Sequence, residues 1–368
     1  MKYLISGGGT GGHIFPAISI ANQLKQLDPE ADILFIGADN RMEMERVPQA
    51  GYKIEGLPIR GFDRSHLLRN IPILIDLAKS MRKARKIIRN FRPDVGVGVG
   101  GYASGAAMKV AAQMGIPILL QEQNGFAGVT NKLLKNDAQK ICVAYDGMER
   151  FFPKEKIILT GNPVRQNLTD GNRTEALQYF GLSADKPILL IIGGSLGART
   201  VNQSIIAGLK QFTDADIQLI WQTGKNYIND CRKALEENTT PAQRSNIWIS
   251  DFVTRMDLAY AAADLVISRA GASSISELEL LGKSCILVPS PNVAEDHQTH
   301  NAMALVRHDA AIMIKDADAV QQLATEAVKL INNRQQLNLL RQNILTLAQT
   351  DSANRIAQEV IKLARTQH

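Results

Sequence analysis

A strand that runs straight into glycines and then a helix occurs twice in this chain. Tyr3-Leu4-Ile5 leads into Gly7-Gly8-Gly9-Thr10-Gly11-Gly12-His13, and Ile14, Ala17, Ile18, Ala21 and Leu24 follow at helical spacing. Ile188–Ile192 leads into Gly193-Gly194-Ser195-Leu196-Gly197-Ala198-Arg199, followed by Val201, Ile205, Ile206 and Leu209. Short apolar runs bounded by glycine read as buried strands, and the later spacing reads as helix. Glycines let the backbone turn sharply and let a ligand come close. The first helical turn then offers unpaired N–H groups and a partial positive charge, which suits a diphosphate. Two such units near the starts of two halves predict an α/β chain of two doubly wound domains facing a cleft.

The rest of the sequence keeps this alternation. Strands are expected at Ile33–Ile36, around Tyr52–Ile59, and at Asp94–Val99, Pro117–Leu120, Ile141–Ala144 and Ile157–Thr160 in the first half. In the second half they are expected near Ile188–Ile192, Ile217–Trp221, Ile247–Ile249, Leu265–Ile267, Cys285–Val288 and Ala311–Ile314. Gly161-Asn162-Pro163-Val164-Arg165 reads as the turn that leaves the first domain. The expected division is 1–163, 164–348, and a last helix over 349–368 with an apolar stripe of Ile356, Val360 and Leu363.

Several classes are set aside at once. No apolar run approaches the roughly 18–20 residues of a membrane span, and Met1-Lys2 passes directly into a strand, so no signal peptide is expected. Cys142, Cys231 and Cys285 are far apart and suit a reducing compartment. There is no Gly-Lys-Ser/Thr, which excludes a P-loop. Gly7-x-Gly9-x-x-Gly12 matches the dinucleotide fingerprint, and Asp39 stands where an acidic ribose ligand would. Against a nicotinamide reading, His13 directly follows the last glycine and the second glycine loop stays unexplained.

His13 sits at a helix N-terminus, where the dipole disfavours imidazolium and leaves a neutral ring able to take a proton from a hydroxyl. Its plain alternative is a capping or packing histidine. In Ser268–Glu277 small residues open a helix, and Glu277 lies one turn in, placed to accept from a ribose diol. A first-turn glutamate that merely complements the dipole is the plain alternative. Asp214-Ala215-Asp216 and Asp316-Ala317-Asp318 have a metal-binding spacing, but turn and N-cap roles explain both and no metal is assigned. Pro289–Gln298 is a polar loop after a strand, where α/β enzymes place ligand contacts.

The net charge of +6 is compatible with several anionic partners. Its placement says more. Leu67, Leu68, Ile71 and Leu74 precede Lys79, Arg82, Lys83 and Lys86, and the basic group holds no acid. An apolar patch beside a basic one fits docking on an anionic membrane surface. A surface helix with Ile71, Leu74, Ala78, Met81 and Ile88 as its core face explains the same pattern, and both readings stand.

These motifs together resemble the MurG family of glycosyltransferase family 28. The likeness rests on Gly8–Ala17, Gly100-Gly101-Tyr102-Ala103-Ser104-Gly105, Glu122-Gln123-Asn124, Gly161–Arg165, Gly193–Ala198, Ser268–Glu277 and His297-Gln298, and it runs over nearly the whole chain. The resemblance implies a GT-B fold, two Rossmann-like domains with a last helix returning to the first. It implies inverting transfer of N-acetylglucosamine from UDP to the 4-hydroxyl of an undecaprenyl-linked muramyl-pentapeptide (lipid I), at the cytoplasmic face of the cell membrane, with no cofactor and no nucleic-acid partner. His13 would be the general base, with a purely electrostatic role as the alternative. Thr10, Gly11, Gly12, Asn124, Arg165, Ser195, Val253, Ala272, Ser273, Ser274, Ile275, Ser276, Glu277 and Gln298 would hold the UDP-sugar. Within that set, backbone at Val253 would read the uracil, Glu277 the ribose and Gln298 the sugar hydroxyls. Tyr102, Ser104 and Glu122 would lie on the acceptor side. Two positions depart from the family pattern: Gln121 stands where histidine is usual, and Ala106 where proline is. The rivals are another UDP-sugar enzyme on this scaffold, such as a glycolipid glycosyltransferase or a UDP-N-acetylglucosamine 2-epimerase, and a nucleotide-sugar-binding protein without turnover.

Overall fold

The computed structural model describes residues 1–59, 71–164, 166–194, 196–293 and 296–366, with the backbone alone at 71–74 and 166–167. The chain divides into two compact units, Met1–Arg165 with Gln349–His368, and Gln166–Ala348.

The first unit runs β1 (Lys2–Gly7), α1 (Gly11–Leu27), β2 (Asp32–Ala38), α2 (Glu43–Gln49), β3 (Lys53–Leu57), α3 (Ile71–Phe91), β4 (Val95–Gly100), α4 (Tyr102–Gln113), β5 (Ile118–Glu122), α5 (Val129–Leu134), β6 (Lys140–Val143) and β7 (Ile157–Leu159). The second runs α6 (Arg173–Phe180), β8 (Ile188–Ile192), α7 (Arg199–Asp214), β9 (Gln218–Gln222), α8 (Ile228–Asn238), α9 (Pro241–Arg244), β10 (Ile247–Ser250), α10 (Met256–Ala262), β11 (Leu265–Ser268), α11 (Ala272–Leu281), β12 (Cys285–Leu287), α12 (His297–Val306), β13 (Ile312–Met313), α13 (Ala319–Ile331) and α14 (Arg334–Thr346). The last helix, α15 (Ser352–Arg365), belongs to the first unit. Its Ile356, Ala357, Val360 and Ala364 are buried with Ile14, Ala17 and Ile20 of α1.

Every strand pairing among the described residues is parallel. The sheet orders are β3-β2-β1-β4-β5-β6-β7 and β10-β9-β8-β11-β12-β13. Parallel strands need covered faces, and the buried clusters supply them. Tyr3 and Ile5 of β1 join one cluster and Leu4 the other, while Leu189 and Ile191 of β8 part in the same way from Ile188, Leu190 and Ile192. Both units are therefore doubly wound and Rossmann-like. The strand order reverses between β1 and β4, and again between β8 and β11, so each unit has one switch point where an open α/β sheet binds ligands.

The alternation in Val95-Gly96-Val97-Gly98-Val99 has a packing cause. The valines fill the α1 side, while a Cβ built on Gly98 would stand 2.8 Å from Met108 Cγ and 3.0 Å from Ser104 Oγ. Any side chain there would push α4 off the sheet. Pro16 sits further into α1 than its first turn. It is the sixth residue of the helix, and its missing N–H cannot close the usual bond to the Gly12 carbonyl.

In α3, Ser80, Ala84 and Ile88 are buried, and Leu77, Met81, Ile87 and Phe91 pack against the core. Ala78, expected on that face, is exposed, as are Ile75, Lys79, Arg82, Lys83 and Lys86. Leu67 and Leu68 lie outside the described residues, as do the side chains of Ile71 and Leu74. No described helix is long and apolar enough to cross a membrane.

One buried and one half-buried ionisable group of the second unit make its stability depend on pH. Glu279 of α11 is 8% exposed, and burial pushes its carboxyl from the ordinary 4.5 up to about 8. Lys283 donates to the Ala263 carbonyl at 3.0 Å, and burial pulls its ammonium from 10.5 down to about 8. The folded chain keeps a proton on Glu279 that the unfolded chain has already lost, so stability falls as pH rises from about 4.5 to about 8. Lys283 has the opposite sign and restores stability between about 8 and 10.5. Glu279→Gln is expected to abolish the first slope, with a gain of order 3 kcal/mol near pH 8 and none near pH 4. Denaturant unfolding of both chains across that window measures it. An unmodified chain of constant stability there would refute it.

Candidate active site

In the first unit, the loops after β1 and β4 meet at the switch point. Gly8 N–H donates to the Gly100 carbonyl at 3.3 Å. Gly101 has φ +92°, and a Cβ on it would lie 2.5 Å from Gly8 O, so only glycine allows this approach. Thr10 occupies the N-cap position of α1 with extended backbone and no side-chain cap, leaving Gly11 and Gly12 at the tip of the helix. His13 Nδ1 lies 3.0 Å from the Gly8 carbonyl and 3.4 Å from Thr10 Oγ1. A carbonyl only accepts, so Nδ1 carries the hydrogen and Nε2 is the basic nitrogen of the neutral ring. The Nε2 edge faces Gly100, where a Cβ would stand 2.8 Å away.

Behind this loop stands a residue the sequence reading passed over. Glu43 is 0% exposed, accepts from Gly9 N–H at 3.0 Å and from Ala38 N–H at 3.1 Å, and so ties the β1 loop to the end of β2. Asp39, considered as a ribose ligand, instead lies against Gly56, where its carboxylate fills the space a Cβ would take.

The acceptor-side residues separate. Tyr102 is half exposed at the start of α4. Ser104 is turned inward: it is 0% exposed, its Oγ has no hydrogen-bond partner, and it lies against Gly98. Its hydroxyl faces the sheet, because helix periodicity carries the third residue of α4 back to it. Glu122 is also interior, at 2% exposure. Its carboxylate accepts from Asn124 N–H at 3.2 Å, Gly128 N–H at 3.0 Å and Asn131 Nδ2 at 2.9 Å, so it shapes the loop that presents Asn124. Gln121 joins a buried amide network, donating to Asn162 Oδ1 at 3.1 Å and accepting from Gln123, while Asn162 Nδ2 donates to the Gln123 carbonyl at 3.0 Å. The network joins the end of β5 to the turn at Gly161–Pro163. Arg165 lies outside the described residues.

In the second unit, Gly194 (φ +82°) follows β8 and its carbonyl accepts from Gln222 Nε2 at 3.0 Å. Ser195 lies outside the described residues. The same Gln222 amide accepts from Val253 N–H at 3.0 Å. Val253 is 1% exposed, and its N–H is therefore engaged within the protein rather than offered to a base. α11 begins at Gly271 without a side-chain cap, so the amides of Ala272, Ser273 and Ser274 open its first turn. The side chains of Ala272 and Ile275 are buried, which leaves only their backbone for a ligand. Ser273, Ser274 and Ser276 are half-buried. Ser273 Oγ is buried without a partner.

Glu277 is 7% exposed and accepts from the Tyr260 hydroxyl at 2.9 Å, which fixes the carboxylate from below. Gln298 Oε1 accepts from Ser290 N–H at 2.9 Å, so the amide is oriented with Nε2 as its outward donor. Arg269 organises the same edge. It donates to the carbonyls of Val288 and Pro289 at 3.0 and 3.1 Å and pairs with Asp316, whose other oxygen accepts from Thr200 at 2.9 Å. Asp316 of the Asp-x-Asp sequence is thus a partner of Arg269 and holds the loop that leads to Gln298.

The glycosyltransferase family 28 N-terminal domain matches residues 3–143, and the glycosyltransferase family 28 C-terminal domain matches residues 188–360. A protein of Parabacteroides distasonis is 60% identical over 365 residues, 98% of each chain. This chain belongs to glycosyltransferase family 28. That family 28 relative is named UDP-N-acetylglucosamine--N-acetylmuramyl-(pentapeptide) pyrophosphoryl-undecaprenol N-acetylglucosamine transferase, and one of the same name in Bacteroides fragilis is 58% identical over 368 residues, 99% of this chain and 96% of the relative. Among solved structures, MurG of Acinetobacter baumannii superposes with a TM-score of 0.76 at 27% identity, covering 98% of this chain and 99% of that one. A UDP-GlcNAc 2-epimerase from Neisseria meningitidis shares the fold alone, with a TM-score of 0.68 at 14% identity over 98% of this chain and all of that one.

Proposed function

We propose that the chain is an inverting glycosyltransferase that moves N-acetylglucosamine from UDP to the 4-hydroxyl of undecaprenyl-pyrophosphoryl-muramyl-pentapeptide, giving lipid II. What carries the reading is 60% identity over 98% of both chains with a relative named for that transfer.

The site chemistry supports it. Backbone amides at the start of α11 would face the diphosphate, Glu277 the ribose, and Gln298 Nε2 the sugar. His13 Nε2 would take the proton as the muramyl oxygen bonds to the anomeric carbon and the carbon–phosphate oxygen bond breaks. UDP leaves with that electron pair. The helix N-terminus and Arg165 would meet the charge growing on the diphosphate. Thr10, Gly11, Gly12, Ser195 and Asn124 complete the proposed donor contacts, and Tyr102 the acceptor side. Lys79, Arg82, Lys83 and Lys86 would rest on the anionic cytoplasmic face of the membrane beside Ile75.

The test is UDP release from UDP-N-acetylglucosamine, with and without the lipid-linked acceptor in anionic vesicles, and with UDP-galactose as the control donor. Release is expected only with both proper substrates, and to weaken as salt screens the basic face. Release without acceptor would point to epimerase-type chemistry, and binding of UDP without any release would sink the transferase reading.

A further inference from the structure

We infer that Glu43 is a positioning residue for His13, acting through the glycine loop. The carboxylate is fully buried, yet among the described residues no lysine or arginine pairs with it. Its two oxygens are spent on two backbone amides, Gly9 N–H at 3.0 Å and Ala38 N–H at 3.1 Å. A buried carboxylate is costly unless its acceptors are filled, so a place kept for one marks a segment that must not move.

The chain keeps that place on both sides. A Cβ on Gly8 would come within the contact distance of Glu43 Oε1, at 2.2 Å, and one on Gly37 would lie 2.6 Å from Glu43 Cγ. Neither glycine has a positive φ. Their lack of a side chain makes room for Glu43 rather than permitting an unusual turn.

The consequence reaches His13 in two bonds. Glu43 holds the amide of Gly9, and the carbonyl of Gly8 belongs to the same peptide group. That carbonyl is the acceptor that keeps hydrogen on Nδ1 of His13. Fixing the Gly8–Gly9 peptide plane therefore fixes the tautomer that makes Nε2 the base. A second effect follows from charge. With Gly9 N–H taken and a carboxylate behind it, the Gly8–Gly9 corner is unsuited to an anion, and the uncharged hydroxyl end of a substrate belongs there. The inference rests on the proposed role of His13.

The test is Glu43→Gln, which keeps shape but sets an NH₂ group against one of the two amides. Gly8→Ala is the second variant, which keeps the carboxylate and displaces it. Thermal unfolding checks that each is folded. Long-range ¹⁵N correlation spectra of the histidines, with His13 assigned from a His13→Ala sample, report its tautomer without any substrate. The unmodified chain is expected to show His13 protonated at Nδ1 alone, and both variants a mixture with Nε2. In the UDP-release assay both are expected to lose about tenfold or more in kcat, with KM for the UDP-sugar changed less than about twofold. An unaltered His13 spectrum in both variants overturns the inference. An altered spectrum with an unaltered rate upholds the clasp and instead removes His13 as the base.

Discussion

His13→Ala is expected to lower kcat by about 10²- to 10⁴-fold, the usual contribution of a positioned general base, with KM for the UDP-sugar within about threefold. The expectation follows from how the ring is held. The Gly8 carbonyl fixes the hydrogen on Nδ1, and Gly100 lets the Nε2 edge come in against the loop after β4. His13→Gln separates two kinds of contribution. Glutamine supplies a neutral polar group but cannot carry the proton away, so it should be as slow as alanine if proton transfer is what His13 does. A glutamine variant within about tenfold of the unmodified rate would assign His13 an orienting part instead. An alanine variant that folds and turns over at full rate would remove it from the chemistry.

The alternation of short apolar runs with helical spacing located the strands of both sheets, because a buried parallel strand is written continuously in its own residues. The glycine loops were legible for the same reason. What escaped the sequence were polar groups whose partners lie on other elements. Glu43 reads as one more acid in a polar helix, and only the order β2-β1-β4 brings it under the Gly8–Gly9 peptide. Asp316 reads as a turn or N-cap residue, and its partner Arg269 comes from the distant loop after β11. Ser104 and Val253 show the converse. A resemblance carries residue types to positions, but Ser104 Oγ faces Gly98 and Val253 N–H faces Gln222, as the local packing dictates. Gln121 is explained likewise: an amide serves the buried network with Asn162 and Gln123, which needs donors and acceptors and no titrating group.

Glu277→Ala should raise KM for the UDP-sugar by about 30-fold or more, since charge-assisted hydrogen bonds contribute about 1.5–3 kcal/mol each and about 1.4 kcal/mol is tenfold. The site is built to make those bonds strong. The carboxylate is 7% exposed, and the Tyr260 hydroxyl holds Oε2 at 2.9 Å, so little ordering remains to be done when a ribose arrives. The substitution also deprives Tyr260 of an acceptor in the core, so some loss of stability will accompany it, and KM alone does not identify the partner. A nucleotide lacking the 2′-hydroxyl does. The unmodified chain should bind UDP at least about tenfold more tightly than 2′-deoxyuridine diphosphate, whereas the alanine variant should bind both equally and weakly. Tyr260→Phe, which keeps the carboxylate and loosens it, should fall between the two. If the alanine variant still prefers UDP by the full factor, the ribose is read elsewhere and Glu277 serves the packing of α11 alone.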